Sequence, residues 1–345
     1  MTFRCLLVFA AMHAGWLTPA AAEDIVTIAS GRGQTKIGGR VIEYTGRELR
    51  LQLADGREKS FPAEQIVRVD TKYTTGQTEA DRLFAQSKFA QALALYRKAL
   101  DGEPRRWVRR QIIAQMVWCY RALGQDGLAA EAFLLLVRSD PSTPLFDCIP
   151  LAWVPAQPSV ALEQTARQWL ARDDLPAAVL LGASHLLSTS SRPAALTRLQ
   201  RLAATADRRI AQLARAQTWR AAVATADDQQ LAAWRGAIDE MPEPLRAGPR
   251  FVLGRALAYK KRWEEAALEF LHVPILYTRH RHLAARCLLD AARSLEKLGR
   301  PKQAAGLYSE LIESHPKTRP AAEARSRLEE LRKPTKPQPL VAHPE

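Results

Sequence analysis

The stretch FAQALALYRKALDGEP, residues 89–104, sets a frame: Ala92, Tyr96, Ala99 and Pro104 stand at intervals of four, three and five. The same intervals recur at Ala129, Phe133, Leu136 and Pro141, and again at Ala304, Tyr308, Leu311 and Pro316. Gln230, Trp234, Ala237 and Pro242 fit with one polar replacement, and Ala266, Phe270 and Val273 match without the final proline. Positions four and then three residues apart share one face of an α-helix. The small residue lets a neighbouring helix approach and the aromatic fills the groove beside it. The proline ends the helix, because it has no N–H to donate and clashes with the preceding turn.

Working outward, an amphipathic segment precedes these frames: QIIAQMVWCYRALG at 111–124, RFVLGRALAYKK at 250–261 and LLDAARSLEKLG at 288–299. Gly124 and Gly299 are placed to cap helix C-termini. RPAALTRLQRLAATA, residues 192–206, reads as an unpaired extra helix, and RPAAEARSRLEELRK, residues 319–333, as a final, more polar capping helix. Residues 334–345 hold too little apolar content to fold and are expected to be disordered.

The frame and its helix pairs resemble the tetratricopeptide repeat family, whose unit is two antiparallel helices of about 34 residues. The resemblance covers 77–104, 111–141, 250–273 and 286–316, and is degenerate over 159–242, where the frames at Ala178 and Gln230 stand 52 residues apart. It implies a mainly α fold: an irregular α-solenoid of antiparallel helix pairs over 74–333, bent in the middle. It also implies a ligand site, since such solenoids bind peptides or protein segments in the concave groove lined by the first helix of each pair. The positions that match are Gln111, Ala114, Trp118 and Arg121 in the second pair, Phe251, Arg255, Ala258 and Tyr259 in the fifth, and Leu289, Arg293, Glu296 and Lys297 in the sixth. Arg255 and Arg293 fall at equivalent places, giving a basic stripe beside Phe251 and Tyr259. Such a stripe suits an acidic or carboxylate-bearing segment, because arginine forms paired charge-assisted hydrogen bonds; the alternative is ordinary solvated arginines. Family members that clamp a C-terminal carboxylate use asparagines, and this chain has none.

Upstream of the helices the period changes to two. Leu49, Leu51 and Leu53 alternate with Arg50 and Gln52, and Val26 and Ile28 with Ile25 and Thr27, the pattern of half-buried strands. Asp55-Gly56 is a hairpin signal, Gly38-Gly39 and Gly46 mark bends, and Phe61-Pro62 turns into a last strand at Ile66–Val69. About five short strands over 24–72 make a small, bent module that resembles SH3-like and Sm-like β-barrels. Gly31-Arg32-Gly33 lacks the spaced Gly-Lys-Ser/Thr of a phosphate loop and reads as a turn. The module is expected to cap the first helical pair at Phe84 and Phe89, or else to dock a partner on its own.

Residues 1–22, MTFRCLLVFAAMHAGWLTPAAA, join one basic residue, an apolar run too short to span a bilayer and small residues before Glu23. They read as a signal peptide, so the protein is expected to be exported to the periplasm or cell envelope of a bacterium, with no membrane span after cleavage. The chain carries a net charge of +14, yet 24–72 holds nine Lys/Arg against seven Asp/Glu. The excess lies in the helical part, which argues against a nucleic-acid-binding β-module. Cys119, Cys148 and Cys287 are too few for a disulfide framework, with one bridge left open.

Three further clusters bear on function. PSTPLFDCIPLAWVPAQPS, residues 141–159, is proline-rich but too apolar for a free linker, so it reads as a packed loop, with a partner-docking element as the alternative. EPRRWVRRQ, residues 103–111, reads as a helix start around a buried Trp107, with phosphate or lipid contact as the alternative. His280, His282 and Cys287 in TRHRHLAARC are metal-like, but Arg279, Arg281 and Arg286 would repel a cation. No metal and no cofactor are expected, and Ser184-His185 forms no nucleophile–base pair. The sequence therefore reads as an exported, non-catalytic scaffold or adaptor for a protein or peptide partner. A polyanion or nucleic-acid binder and a non-catalytic subunit of an envelope enzyme or transport assembly are the alternatives.

Overall fold

A computed structural model describes residues 24–31 and 33–332. The signal peptide expected at 1–22, Arg32 and the tail at 334–345 lie outside the described residues.

The first part is a five-stranded antiparallel sheet in the order β4-β3-β2-β1-β5. Its strands are β1 Asp24–Ser30, β2 Gly33–Tyr44, β3 Glu48–Gln52, β4 Glu58–Pro62 and β5 Ile66–Thr71, with a short 3₁₀ turn at Ala63–Gln65 before β5. Alternation buries Leu49 and Leu51 completely, and Val26 and Val41 join them in the core. The β3–β4 hairpin turns at Gly56, whose φ of +82° is left-handed, and the Leu53 N–H closes it on the Arg57 carbonyl at 2.8 Å. Gly38 and Gly39 stand inside β2, not at its end. The strand pairs with β1 up to Gly39 and with β3 from Arg40 onward. A Cβ at Gly39 would lie 2.5 Å from the Gln52 carbonyl oxygen, so only glycine fits at this crossover.

Among the described residues fourteen helices follow: α1 Thr75–Ala85, α2 Phe89–Gly102, α3 Arg106–Ala122, α4 Asp126–Ser139, α5 Val160–Leu170, α6 Pro176–Leu186, α7 Arg192–Leu202, α8 Arg208–Ala222, α9 Asp228–Asp239, α10 Ala247–Tyr259, α11 Trp263–Leu276, α12 Arg281–Lys297, α13 Pro301–Ser314 and α14 Arg319–Arg332. The protein is mainly helical with a small N-terminal antiparallel sheet. Ala92, Ala129, Ala266 and Ala304 are fully buried, and so are Tyr96, Phe133 and Tyr308. Helices α2, α4, α9 and α13 stop just short of Pro104, Pro141, Pro242 and Pro316, and Gly124 and Gly299 take positive φ at the ends of α3 and α12. The helix at 192–202 is not unpaired, because α7 packs against both α6 and α8.

Contacts are not confined to neighbours in sequence. Helix α3 touches α12, where the His280 ring meets the Trp118 indole edge-on at 4.9 Å. The 141–159 segment lies inside the helical array: Phe146, Cys148, Ile149, Leu151 and Trp153 are all buried. Its backbone is held from several sides. The Ala152 N–H donates to Ser184 Oγ on α6 at 2.9 Å, and Arg209 on α8 donates to the Thr143 and Pro141 carbonyls at 2.9 and 2.8 Å. Trp153 lies directly on Gly248 of α10. This strap occupies space that an open groove would leave to a ligand.

The β-module is bound to the helices at α3 and at the start of the strap. Arg110 pairs with Glu43 and donates to the Tyr44 carbonyl at 2.7 Å. The Gly46 N–H donates to Asp140 at 2.9 Å, and Arg105 donates to Thr71 Oγ1 at 2.9 Å. Arg105, Arg109 and Arg110 are thus spent on internal contacts around a buried Trp107, while Arg106 is exposed. Phe84 and Phe89 close edge-on upon each other at 5.4 Å.

Candidate functional site

A cavity of about 480 Å³ opens between the end of α3, the strap at 150–158, the start of α12 and the start of α14. Among the described residues Arg121, Arg279, Arg281, Arg286, Arg293 and Arg319 line it, against two acids, Asp126 and Glu323. Arg286 is paired with Asp290 at 2.8 Å, and Arg293 with Asp290 and Glu323. Arg279 and Arg319 are exposed and form no ion pair among the described residues.

Arg121 comes from the last turn of α3, which aims it across the cavity mouth at α12. It donates to the Cys148 carbonyl at 3.3 Å and lies 3.4 Å from His280 Nδ1. A guanidinium only donates, so Nδ1 accepts and the neutral ring carries its proton on Nε2. Burial, then Arg121, holds His280 well below the usual histidine range. Burial also brings Arg121 down to about 10, which leaves it charged at neutral pH. The Trp118 ring carries Arg121 at 4.5 Å and Arg279 at 5.9 Å from its centroid, a cation–π stack that fixes both guanidiniums. Two buried nitrogens of lining residues, Trp118 Nε1 and His185 Nε2, have no hydrogen-bond partner among the described residues. Burial also lowers the pKa of His185, opposed by Asp126 and the Pro150 carbonyl.

These histidines give a pH prediction. In the unfolded chain they take up protons near about 6.5; in the fold His185 and His280 resist protonation. The unfolded state therefore binds more protons as pH falls from 7 to 5, and stability falls with it. The slope is at most about 1.4 kcal/mol per pH unit for each histidine that stays neutral in the fold. Urea midpoints across that range should drop, and His280→Gln, which cannot take a proton, should flatten the decline.

Of the residues singled out from the sequence, Trp118, Arg121 and Arg293 line this one cavity. Phe251 is fully buried, packed at 5.9 Å on Phe270, and Arg255 lies 6.0 Å from its ring, away from the cavity lining. Tyr259 and Lys297 are exposed and also stand outside the lining. The lining residues not singled out as ligand-binding were Arg279, Arg281, Arg286, Arg319 and His185. The signal for Arg279, Arg281 and Arg286 stands in TRHRHLAARC, where arginines that repel a cation attract an anion just as strongly; Arg319 and His185 lie outside that stretch and join it only through the fold.

The remaining candidates have structural roles. Ser184 Oγ clamps the Ala152 backbone, accepting at 2.9 Å and donating at 3.3 Å. Cys119, Cys148 and Cys287 are free and buried, and burial pushes Cys119 up to about 12, so its thiol stays protonated. Among the described residues no group of three or more His, Cys, Asp or Glu is placed to hold a metal ion. No helix among them is long and apolar enough to cross a membrane. No known protein-family model matches this chain, and no curated protein matches it significantly.

Proposed function

We propose that this is an exported, non-catalytic adaptor that takes an acidic segment of a protein partner in the arginine-lined cleft. The observation that carries the reading is the cleft itself: six arginines against two acids, with Arg279 over the Trp118 ring and Arg319 elsewhere in the lining, neither in an ion pair among the described residues. Guanidinium groups match carboxylates in geometry and charge, and the indole offers an apolar platform for the segment's backbone or side chains. Within this reading the helical region is an irregular tetratricopeptide-like solenoid. The buried small–aromatic frames support it, as do the Tyr96 and Tyr308 hydroxyls, which each donate to a carboxylate of the preceding helix, Asp81 and Glu296. The α3–α12 contact makes it a closed rather than an open array, so the ligand enters at one cleft and not along the whole concave face. The bent β2, shared by β1 and β3, supports a small barrel for the N-terminal module.

Binding of fluorescein-labelled Glu-rich and Lys-rich peptides to the full chain tests the reading by anisotropy. The acidic peptide should bind and the basic one should not. Arg279→Glu with Arg319→Glu, both on the surface, should weaken the acidic peptide by about tenfold or more, roughly 1.4 kcal/mol, with far-UV circular dichroism unchanged. Equal binding of both peptides, or no response to the double charge reversal, removes the proposal. Competition by duplex DNA with a steep salt dependence would favour a polyanion binder instead.

A further inference from the structure

We infer that a second cavity, walled by the strap, the end of α6, the start of α7 and the end of α8, is a binding site for a carboxylate carried on a short aliphatic stem. That carboxylate belongs either to a side chain of a protein partner or to a small free acid. The site lies outside the arginine-lined cleft and does not rest on reading that cleft as the ligand site.

The cavity holds about 170 Å³ and is lined by Pro155, Leu187, Ser188, Arg192, Arg220 and Ala221, with no acid among the described residues that face it. Pro155 also lines the larger cleft, so the two cavities flank the strap at one residue. Arg220 comes from the last turn of α8. Its Nη1 donates to the Ser184 carbonyl at 2.8 Å and to Gln217 Oε1 at 2.7 Å, which holds the guanidinium in place. Its Nη2 makes no hydrogen bond among the described residues and, unlike Nε, is not sealed from solvent. Arg192 is exposed and donates from Nη2 to the Ala221 carbonyl at 3.2 Å, which leaves its other nitrogens to face a ligand.

The charge around Arg220 sets it apart from the other arginines drawn out of water. Arg110 is paired with Glu43, and Arg250 with Glu269. Burial lowers Arg121 and Arg255 as well, but Asp126 and Asp290 oppose it there. At Arg220 burial brings the guanidinium down to about 10, and Arg255 and Arg192 push the same way, with no acid among the described residues to offset them. A cation held partly out of water among like charges is costly, and a bound anion relieves that cost. A carboxylate fits the donors: its two oxygens accept from two guanidiniums that approach from α7 and α8, and the Ser188 hydroxyl serves a remaining lone pair. The other walls, Pro155, Leu187 and Ala221, are apolar. They suit an aliphatic stem, whereas a phosphate would leave oxygens against them without donors.

Calorimetric titration of the full chain with butanoate and with its neutral isostere butanamide tests the site. The Arg279→Glu, Arg319→Glu chain serves as background, so that the larger cleft is silenced. One-to-one saturable binding of butanoate is expected, with none of butanamide. Adding Arg192→Glu should weaken butanoate by about tenfold or more. Arg201→Glu makes the same charge change in the last turn of α7, at an exposed position outside the lining, and should leave binding as it was. Circular dichroism should be unchanged in both. The labelled Glu-rich peptide then separates the two sources, with Arg279 and Arg319 intact. Weaker peptide binding in Arg192→Glu assigns the carboxylate to a partner's side chain; unchanged peptide binding assigns it to a small free acid. No saturable butanoate binding, equal binding of butanamide, tighter binding of inorganic phosphate, or equal responses to Arg192→Glu and Arg201→Glu overturns the inference. Butanoate binding by a chain that ignores the acidic peptide sinks the adaptor reading alone, and peptide binding without butanoate binding sinks this site alone.

Discussion

Truncating Trp153 to alanine should destabilise the protein by about 3–5 kcal/mol, the cost of emptying a packed aromatic site. Trp153 is 5% exposed and its indole lies on the Cα of Gly248. A Cβ at Gly248 would stand 1.9 Å from Trp153 Cε2 and 2.3 Å from Nε1. The obstacle is a rigid ring held in the strap, not the loose end of a flexible chain. Gly248→Ala alone should therefore force the ring out and cost at least as much as other overpacking changes, about 1–3 kcal/mol. In the Trp153→Ala background the same methyl enters vacated space and should cost far less. The double-mutant cycle should show a coupling of more than about 1 kcal/mol. Urea unfolding with unchanged m-values reads all four proteins. Additive effects would show that the ring and the glycine do not meet as described.

That cycle also bears on ligand binding, because the strap forms one wall of the arginine-lined cleft. Leu151 and Trp153 belong to the lining, and their neighbours in the strap are pinned by Ser184 and Arg209. A strap loosened at Gly248 should bind the acidic peptide more weakly although every arginine remains.

The helices were legible because their information is local. An alanine, an aromatic and a proline at fixed intervals specify a face, a filler and a stop, and Ala92, Tyr96 and Pro104 serve as such. The hairpin at Asp55-Gly56 is equally local. What sequence reasoning missed is set by contacts between residues far apart. Arg255 and Arg293 occupy equivalent places in their helices, which would align them only along an open concave face. Here α3 meets α12 and the strap fills the interior, so Arg293 reaches the cleft with Arg121 while Phe251 turns into the core and Arg255 stays beside it. Gly248 gave no sign of its role, since its backbone is ordinary helix and only the approach of Trp153 demands glycine. Gly46 is similar: a Cβ there would lie 1.7 Å from the Ser142 carbonyl oxygen, a contact no local pattern encodes.

Replacing Arg110 with alanine should cost about 3–5 kcal/mol, the range for breaking one side of a buried ion pair. The Arg110 side chain is 7% exposed and the Glu43 side chain 22%. Without the guanidinium, the Glu43 carboxylate keeps only the Tyr44 N–H, which donates to it at 2.9 Å, and the Tyr44 carbonyl loses its donor. Glu43→Gln should cost less, about 1 kcal/mol, because the amide oxygen still accepts from Arg110. The double replacement Arg110→Met with Glu43→Leu removes both charges and should recover much of the loss. The form of the unfolding transition carries the wider meaning. Val26, Val41, Leu49 and Leu51 share one contiguous apolar core with the helices. Arg110→Ala should therefore lower a single calorimetric transition followed alike by sheet and helix signals, as expected of a module that closes the end of the helical array. A separate early transition of the sheet, with the helices melting at the parent temperature, would instead make the β-module an independent unit available for docking.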